Sequence, residues 1–306
     1  MADISTDISA KISARVSART AAKVSIHDLV KVFGGRTVVN GVSITLRERE
    51  IVGLLGPNGA GKTTTFNMVV GTIRPNAGKI YYNDVDITHM PMYKRSRLGL
   101  GYLAQEPSVF RKLTVRENVL GILECLPISA AERRRRLDGI LEDLGLSALA
   151  DSPAYNLSGG ERRRVEIARA LVTEPKFMLL DEPFSGVDPK AVEELQVIIH
   201  QMKERGLGVL VTDHSVRETL TVTDRSYLIH EGKVILSGTS EELVNDPRAR
   251  ETYLGSRFYY QNTEAHLRAD ANSPGALSVA GGGSGRSARG KSGPGGPGDS
   301  ASDRDA

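Results

Sequence analysis

The stretch Ile-Val-Gly-Leu-Leu-Gly-Pro-Asn-Gly-Ala-Gly-Lys-Thr-Thr at positions 51–64 decides the fold. Its first five residues form an apolar run that is typical of a buried strand, and residues 61–70 continue with helical spacing. A glycine-rich turn between a strand and a helix lets backbone N–H groups point at a phosphate, while the helix N-terminus adds partial positive charge. The stretch therefore predicts a phosphate-binding loop at the end of a central strand.

Within this phosphate loop, residues 56–64, two side chains have distinct predicted roles. Lys62 is placed to reach the outer phosphates of a nucleotide, and the hydroxyl of Thr63 is placed to bind Mg²⁺. The full set of predicted nucleotide contacts in the loop is Gly56, Pro57, Asn58, Gly59, Ala60, Gly61, Lys62, Thr63 and Thr64.

Strand and helix patterns alternate on both sides of the loop. Alternating apolar residues at 24–26 and 38–46 predict two antiparallel strands that lead into the central strand, and 79–82 predicts another. From about 113 to 173 the spacing is helical, with Thr114 and Ser129 as predicted helix caps.

Further along, short apolar runs at 177–180 and 209–211 predict buried strands on either side of a helix at 191–205. Strand patterns at 226–229 and 233–236 flank Glu-Gly and predict a hairpin. Strands that alternate with helices imply a mostly parallel sheet covered on both faces. The predicted fold class is therefore α/β, with an N-terminal antiparallel β subdomain and a helical insert.

The predicted domain boundaries follow changes in composition. Residues 1–22 form a low-complexity extension with a four-residue repeat, predicted to be disordered, with a weak amphipathic helix as the alternative. Residues 23–260 form the folded domain, and its helical insert spans about 106–173. Residues 261–306 are rich in Gly, Ser and Pro and are predicted to be a disordered tail.

Composition excludes several classes of function. The formal net charge of +3 over 306 residues is too mild for a nucleic-acid-binding face. Cys125 is the only cysteine, so no intrachain disulfide can form, and we predict that it lies buried in an apolar helix. No apolar run approaches the roughly 20 residues that span a bilayer, and no signal-peptide pattern is present. We therefore expect a cytoplasmic protein that binds no nucleic acid and reaches the membrane through a partner.

Two carboxylates end the strand Phe-Met-Leu-Leu-Asp-Glu at positions 177–182. Asp181 stands where the end of a buried strand can bind Mg²⁺. Glu182 has the longer side chain and is the better general base for a water that attacks a phosphate. A strand that ends in two carboxylates is common by itself. It indicates a catalytic role here because the same chain contains the phosphate loop.

A second glycine-rich phrase, Leu-Ser-Gly-Gly-Glu at 157–161, opens a helix. Ser158 and the N–H groups of a helix start offer donors to a γ-phosphate. Together with the phosphate loop and the 177–182 strand, this phrase resembles the signature of the ATP-binding cassette (ABC) family. The resemblance covers residues 24 to about 258. The family usually has Gln at the fifth signature position, where this chain has Glu161.

The resemblance implies roles for further residues. Gln105 is the expected contact to Mg²⁺ or the attacking water, and His214 the expected contact to the γ-phosphate. Phe33 is expected to stack on adenine, with a core position as the alternative. Phe110 is expected in the groove that receives a membrane subunit, with a ring packed inside the insert as the alternative. The residues expected to reach the ATP or the interface of a second copy are Ser158, Gly159, Gly160 and Asp188.

The resemblance also implies an assembly. Two copies would close on ATP and Mg²⁺ beneath integral membrane permease subunits, on the cytoplasmic face of the inner membrane. The sequence around Ser158, Glu182 and His214 is similar to that of the lipopolysaccharide-export branch of the family. One alternative is the ATPase of a branched-chain amino-acid importer. Non-transport members that act on ribosomes or chromosomes fit less well, because the chain has one cassette and a short interval between its two glycine-rich phrases.

Overall fold

The computed structural model describes residues 22–255, which form two β-sheets and the helices that pack with them. The strands are β1 (Lys23–Phe33), β2 (Arg36–Arg47), β3 (Ile51–Leu55), β4 (Ala77–Tyr82), β5 (Val85–Asp86), β6 (Leu100–Leu103), β7 (Phe177–Asp181), β8 (Gly208–Thr212), β9 (Arg225–His230) and β10 (Lys233–Gly238). The α-helices are α1 (Lys62–Val70), α2 (Met92–Arg97), α3 (Val115–Glu124), α4 (Ala130–Asp143), α5 (Gly159–Leu171), α6 (Pro189–Glu204), α7 (Val216–Val222), α8 (Ser240–Asn245) and α9 (Pro247–Ala249). Short 3₁₀ segments lie at Ser147–Leu149 and Ala154–Asn156, and a π-helical turn lies at Arg250–Leu254.

The first sheet is antiparallel, with the strand order β2-β1-β4-β5. Its β1–β2 hairpin confirms the predicted antiparallel pair. The hairpin is tied to the phosphate loop through a chain of two backbone bonds. The N–H of Asn40 donates to the carbonyl of Gly232 at 2.8 Å, and the N–H of Gly232 donates to the carbonyl of Ala60 at 3.0 Å.

The second sheet has the order β10-β9-β3-β8-β7-β6, and all its neighbours from β9 to β6 are parallel. This confirms the mostly parallel sheet, and only β10 pairs antiparallel. In such sheets, ligands bind beyond the carboxyl ends of the strands. The phosphate loop follows β3, while Gln105, Glu182 and His214 lie just beyond β6, β7 and β8. The topology therefore places all of these segments along one edge.

The helical insert is built from α3, α4 and α5. Thr114 and Glu117 form a reciprocal capping box at the start of α3, and the Oγ of Ser129 accepts from the N–H of Glu132 at the start of α4. Both predicted caps are confirmed. Each satisfies N–H groups that the helix leaves unpaired, which is why these residue types could be recognised locally.

The prediction for Cys125 is wrong. The residue is exposed, and it stands just past the last residue of α3. The buried side of α3 is formed by Val115, Val119 and Leu123. Their spacing of four places Cys125 away from that stripe.

The C-terminal part of the described chain packs beneath the phosphate loop. Leu243, Val244 and Ala249 join Leu55 and Leu220 in one buried apolar cluster. The predicted N-terminal extension, residues 1–22, lies outside the described residues except for Ala22, which is buried, and the predicted tail, residues 261–306, lies wholly outside them. Between residues 22 and 255, every helix is too short or too polar to cross a bilayer.

Candidate active site

Backbone contacts from two other strands hold the phosphate loop in shape. Gly56 and Gly61 have φ angles of 149° and 99°, which L side chains rarely adopt. A Cβ at Gly56 would lie 2.1 Å from the carbonyl oxygen of Ile229, and one at Gly61 would lie 2.7 Å from that of Val38. Gly61 caps α1 without a side chain, so the first N–H groups of α1 are left for an anion.

The other loop residues differ in exposure. Asn58 and Gly59 are exposed at the tip, and Ala60 is buried. Pro57 and Thr64 are partly buried, and Thr63 is exposed in the first turn of α1.

Lys62, the first residue of α1, folds back onto the loop that precedes it. Its Nζ donates to the carbonyl of Gly56 at 2.6 Å and to that of Pro57 at 3.0 Å. Burial lowers the pKa of Lys62, and the carboxylates at the ends of β7 and β8 oppose this effect. The ammonium therefore lies between the phosphate loop and the acidic strand ends.

Asp181 ends β7 as a buried carboxyl group, with 2% of its surface exposed. Burial, followed by the negative charge of Glu182, raises the pKa of Asp181 to about 6. Its Oδ1 has no hydrogen-bond partner within residues 22–255. A buried and unpaired carboxylate oxygen fits a cation that prefers oxygen ligands, such as Mg²⁺.

Glu182 is the point on which the predicted catalytic side chains converge. Its φ of 46° lies in the left-handed region, and its N–H donates to the carbonyl of Thr212 at 2.7 Å, which fixes the turn to the end of β8. The Nε2 of Gln105 donates to Oε2 of Glu182 at 2.8 Å. The Nδ1 of His214 lies 3.5 Å from the same oxygen. The structure thus brings together three residues from three different strand ends.

Ser158 begins α5 through a capping box with Glu161. The Ser158 Oγ accepts from the N–H of Glu161 at 3.3 Å, and Oε2 of Glu161 accepts from the N–H of Ser158 at 2.8 Å. The hydrogen bonds from Ser158 hold the pKa of Glu161 below its ordinary value. Since the N–H of Ser158 is taken, the donors left for a phosphate are its hydroxyl and the N–H groups of Gly159 and Gly160.

The signature glycines pack against the start of α6. A Cβ at Gly160 would lie 2.5 Å from the Cβ of Ala191. Asp188 caps α6, since its Oδ1 accepts from the N–H of Ala191 at 3.0 Å. Within residues 22–255, no hydrogen bond or ion pair joins residues 158–160 to the phosphate loop. In the described part of the chain, the two glycine-rich phrases are therefore not joined by polar contacts.

Comparison with known proteins places these features in a family. Residues 39–185 match the sequence profile described as ABC transporter. The lipopolysaccharide export system ATP-binding protein LptB of Acidithiobacillus ferridurans is 54% identical over 230 residues, which cover 75% of this chain and 95% of that protein. The chain belongs to the ABC transporter ATP-binding family.

Two further ABC proteins show the same relationship. The protein of the same name from Haemophilus influenzae is 51% identical over 236 residues, covering 77% of this chain and 98% of that protein. Among solved structures, the ADP conformation of MJ1267, an ATP-binding cassette of an ABC transporter, has a TM-score of 0.70 at 30% identity. That match covers 77% of this chain and all of the other.

The predicted adenine contact of the ABC site, Phe33, lies at the end of β1. Its ring is 46% exposed, so the alternative of a core position is wrong. The Nζ of Lys31 lies 4.9 Å from the ring centroid. The second strand of this hairpin, β2, contains Val38, whose carbonyl oxygen would lie 2.7 Å from a Cβ at Gly61 of the phosphate loop. The aromatic ring therefore stands at the end of a hairpin that contacts the loop.

Phe110, the predicted contact to a membrane subunit, has a hydrogen-bonded backbone and an exposed side chain. Its N–H and carbonyl both bond to the buried side chain of Asn118, at 2.9 and 3.0 Å. Its ring is 55% exposed, and the guanidinium of Arg169 lies 4.7 Å from the ring centroid. The alternative of a ring packed inside the insert is wrong.

Sequence reasoning missed the buried pair Arg163 and Glu166 in the ABC signature helix α5. Arg163 donates to the carbonyl of Ala104 at 2.8 Å and to the carbonyls of residues 181 and 182 at 3.0 and 3.2 Å. Glu166 pairs with Arg163 at 2.9 Å and accepts from the N–H of Ser108 at 2.7 Å. The pair thus joins the signature helix to the backbone on either side of Gln105. The sequence signal was their spacing of three, which places both on one face of a helix.

Proposed function

We propose that the chain is the ATP-hydrolysing subunit of a transporter that exports lipopolysaccharide, acting on the cytoplasmic face of the inner membrane. The convergence of Gln105 and His214 on Oε2 of Glu182 carries the hydrolytic part of this proposal. The assignment of lipopolysaccharide as the transported molecule is supported by the LptB relatives, which the chain covers almost completely at 51 and 54% identity.

In the proposed reaction, Glu182 accepts the proton of the water that attacks the γ-phosphate of ATP. Gln105 holds the carboxylate in place through its amide, and a positioned general base typically contributes about 10²–10⁴-fold to the rate. Lys62 leaves the carbonyls of Gly56 and Pro57 and binds the outer phosphates. His214 stabilises charge that develops on the γ-phosphate.

Thr63, Gln105 and Asp181 are the residues that would hold Mg²⁺, which supplies positive charge to the phosphate oxygens when it is bound. Asp181 suits this role because burial disfavours its ionised form, and a nearby cation favours that form. The adenine is stacked on Phe33 in the same proposal.

Each ATP is completed by a second copy of the chain. The hydroxyl of Ser158 and the N–H groups of Gly159 and Gly160 are donors left unused within the described residues 22–255, so they suit the γ-phosphate bound to the partner. Asp188, beside them at the start of α6, would lie at the interface. ATP drives closure only by the difference in its affinity for the closed and open pairs.

Phe110 is proposed as the anchor for integral membrane permease subunits. A half-exposed aromatic ring on a rigid backbone gives an interface large apolar contact at little entropic cost. A branched-chain amino-acid importer would use the same nucleotide site, and the LptB relatives favour the exporter.

The test is to purify the tagged full-length chain from detergent-solubilised membranes and identify the transmembrane proteins that accompany it. We expect permease subunits whose reconstituted complex releases lipopolysaccharide from vesicles when ATP is added. A Glu182→Gln complex is the matched control, which assembles without releasing cargo. Recovery of an amino-acid permease, or release without ATP hydrolysis, would overturn the proposal.

A further inference from the structure

Asp213 is a fully buried carboxylate in the loop between β8 and α7. None of its side chain is exposed. Its Oδ2 accepts from the N–H of Phe184 at 3.0 Å, and its Oδ1 accepts from the N–H of Ser215 at 2.8 Å. Burying a charged group is unfavourable unless hydrogen bonds replace those lost to water, and these two bonds do so. The carboxylate is therefore fixed in position.

The two backbone groups belong to different loops of the active site. Phe184 follows Glu182 in the turn after β7, where Glu182 has the left-handed φ of 46°. Ser215 follows His214 in the loop after β8. Asp213 thus sets the distance between the segment that carries the proposed general base and the segment that carries the proposed γ-phosphate contact.

The same carboxylate also faces the imidazole of His214. The Nδ1 of His214 lies 3.2 Å from Oδ1 of Asp213 and 3.5 Å from Oε2 of Glu182. Carboxylates on one edge of an imidazole fix the orientation of the ring and favour the proton on the facing nitrogen. With Nδ1 turned toward these two carboxylates, Nε2 lies on the opposite edge of the ring. The side chain of His214 is 55% exposed, and these carboxylates lie on its Nδ1 side.

We propose that Asp213 is a positioning residue for ATP hydrolysis, which sets the imidazole of His214 against Glu182 and presents its Nε2 edge to the γ-phosphate. This inference rests on the proposed roles of His214 and Glu182. It assigns Asp213 no contact with the substrate. In this proposal its effect on the rate passes through His214, and the bond to the N–H of Phe184 is the other route that the test must exclude.

A double-mutant cycle tests this dependence in the full-length chain. We expect Asp213→Asn to lower kcat by about 10- to 100-fold, in the range found when an outer-shell partner of a functional histidine is removed, with the KM for ATP changed less than about 3-fold. In a His214→Ala background, the same substitution should change kcat less than about 2-fold. An equal loss in both backgrounds would show that Asp213 acts only as scaffold and would overturn the proposal.

The ring nitrogens of His214 give a second readout that a scaffold role would not move. In protein labelled with ¹⁵N-histidine, the signals of His214 are identified by their loss in His214→Ala. We expect Asp213→Asn to shift the Nδ1 signal, and an unchanged signal would overturn the proposal. Asp213→Glu, which keeps the charge but moves it by one methylene, replaces Asp213→Asn in both tests if the asparagine variant does not fold. Absence of ATPase activity in the wild-type chain would refute the proposed function, while the ring signal would still report on Asp213.

Discussion

Gln105 donates its side-chain amide to Oε2 of Glu182 at 2.8 Å, although 77 positions separate them in the chain. The bond joins the segment after β6 to the end of β7, two neighbouring parallel strands. The helical insert begins directly after Gln105. The bond therefore links the carboxylate that we propose as general base to the segment that leads into the predicted insert.

We expect Glu182→Gln to lower ATP turnover by about 10²–10⁴-fold, because an amide cannot accept the proton of the attacking water. ATP binding should persist, since Lys62 and the phosphate loop are unchanged. Steady-state ATPase assays and equilibrium ATP binding measure the two effects separately. Glu204→Gln, at the exposed end of α6, is the matched control and should leave both unchanged. Substantial turnover in Glu182→Gln would remove Glu182 from its role.

The raised pKa of Asp181, about 6, predicts how stability changes with pH. The folded state holds this proton more tightly than the unfolded chain, so the contribution of Asp181 to stability is fully present below about pH 4 and is lost as pH rises to about 6. We expect the free energy of unfolding of Asp181→Asn, relative to wild type, to rise across this window by up to about 3 kcal/mol. Urea unfolding in EDTA without nucleotide measures it. Parallel pH profiles for the two proteins would contradict the prediction.

Gly160→Ala should destabilise the protein by about 1–3 kcal/mol, because the added methyl would meet the Cβ of Ala191 at 2.5 Å. The free energy of unfolding is the measurement. Gly139→Ala in α4 is the control, since nothing lies within 4 Å of its Cβ position and alanine favours a helix. Adding Ala191→Gly to Gly160→Ala should recover part of the loss. If it recovers none, the contact between α5 and α6 is not the cause.

Phe110→Ala should leave the isolated subunit intact, because the ring is exposed and the backbone bonds to Asn118 do not depend on it. Melting temperature and ATP affinity should stay at wild-type values. Recovery of membrane subunits with the tagged chain should fall several-fold. Val197→Ala, an exposed apolar residue on α6, serves as the control and should have no effect on recovery. Undiminished recovery with Phe110→Ala would place the interface elsewhere.

The parts of the fold that sequence predicted are those with local signals. Thr114 and Ser129 cap helices through residues only three positions away, and the apolar run before Gly56 forms a strand that is buried along its whole length. The alternation of strands and helices was enough to predict a mostly parallel sheet. The prediction for Cys125 failed because the residue lies off the buried stripe of α3 formed by Val115, Val119 and Leu123.

Tertiary contacts explain what the sequence did not reveal about the site. Arg163 acts through carbonyls of Ala104 and residues 181–182, and backbone carbonyls leave no mark on a sequence. Asp213 was visible beside His214, but its bond to Phe184 exists only because β7 and β8 are neighbours. Such partners become apparent only when the segments are folded together.

The position of Lys62 has a consequence for nucleotide binding. Its amine has two partners in its own loop, the carbonyls of Gly56 and Pro57. The proposed contact of Lys62 with the outer phosphates replaces these two bonds, so the net gain from that contact is smaller than its full strength. The affinity of the loop for ATP is therefore a balance between the phosphate contacts that Lys62 would gain and the carbonyl contacts that it would give up.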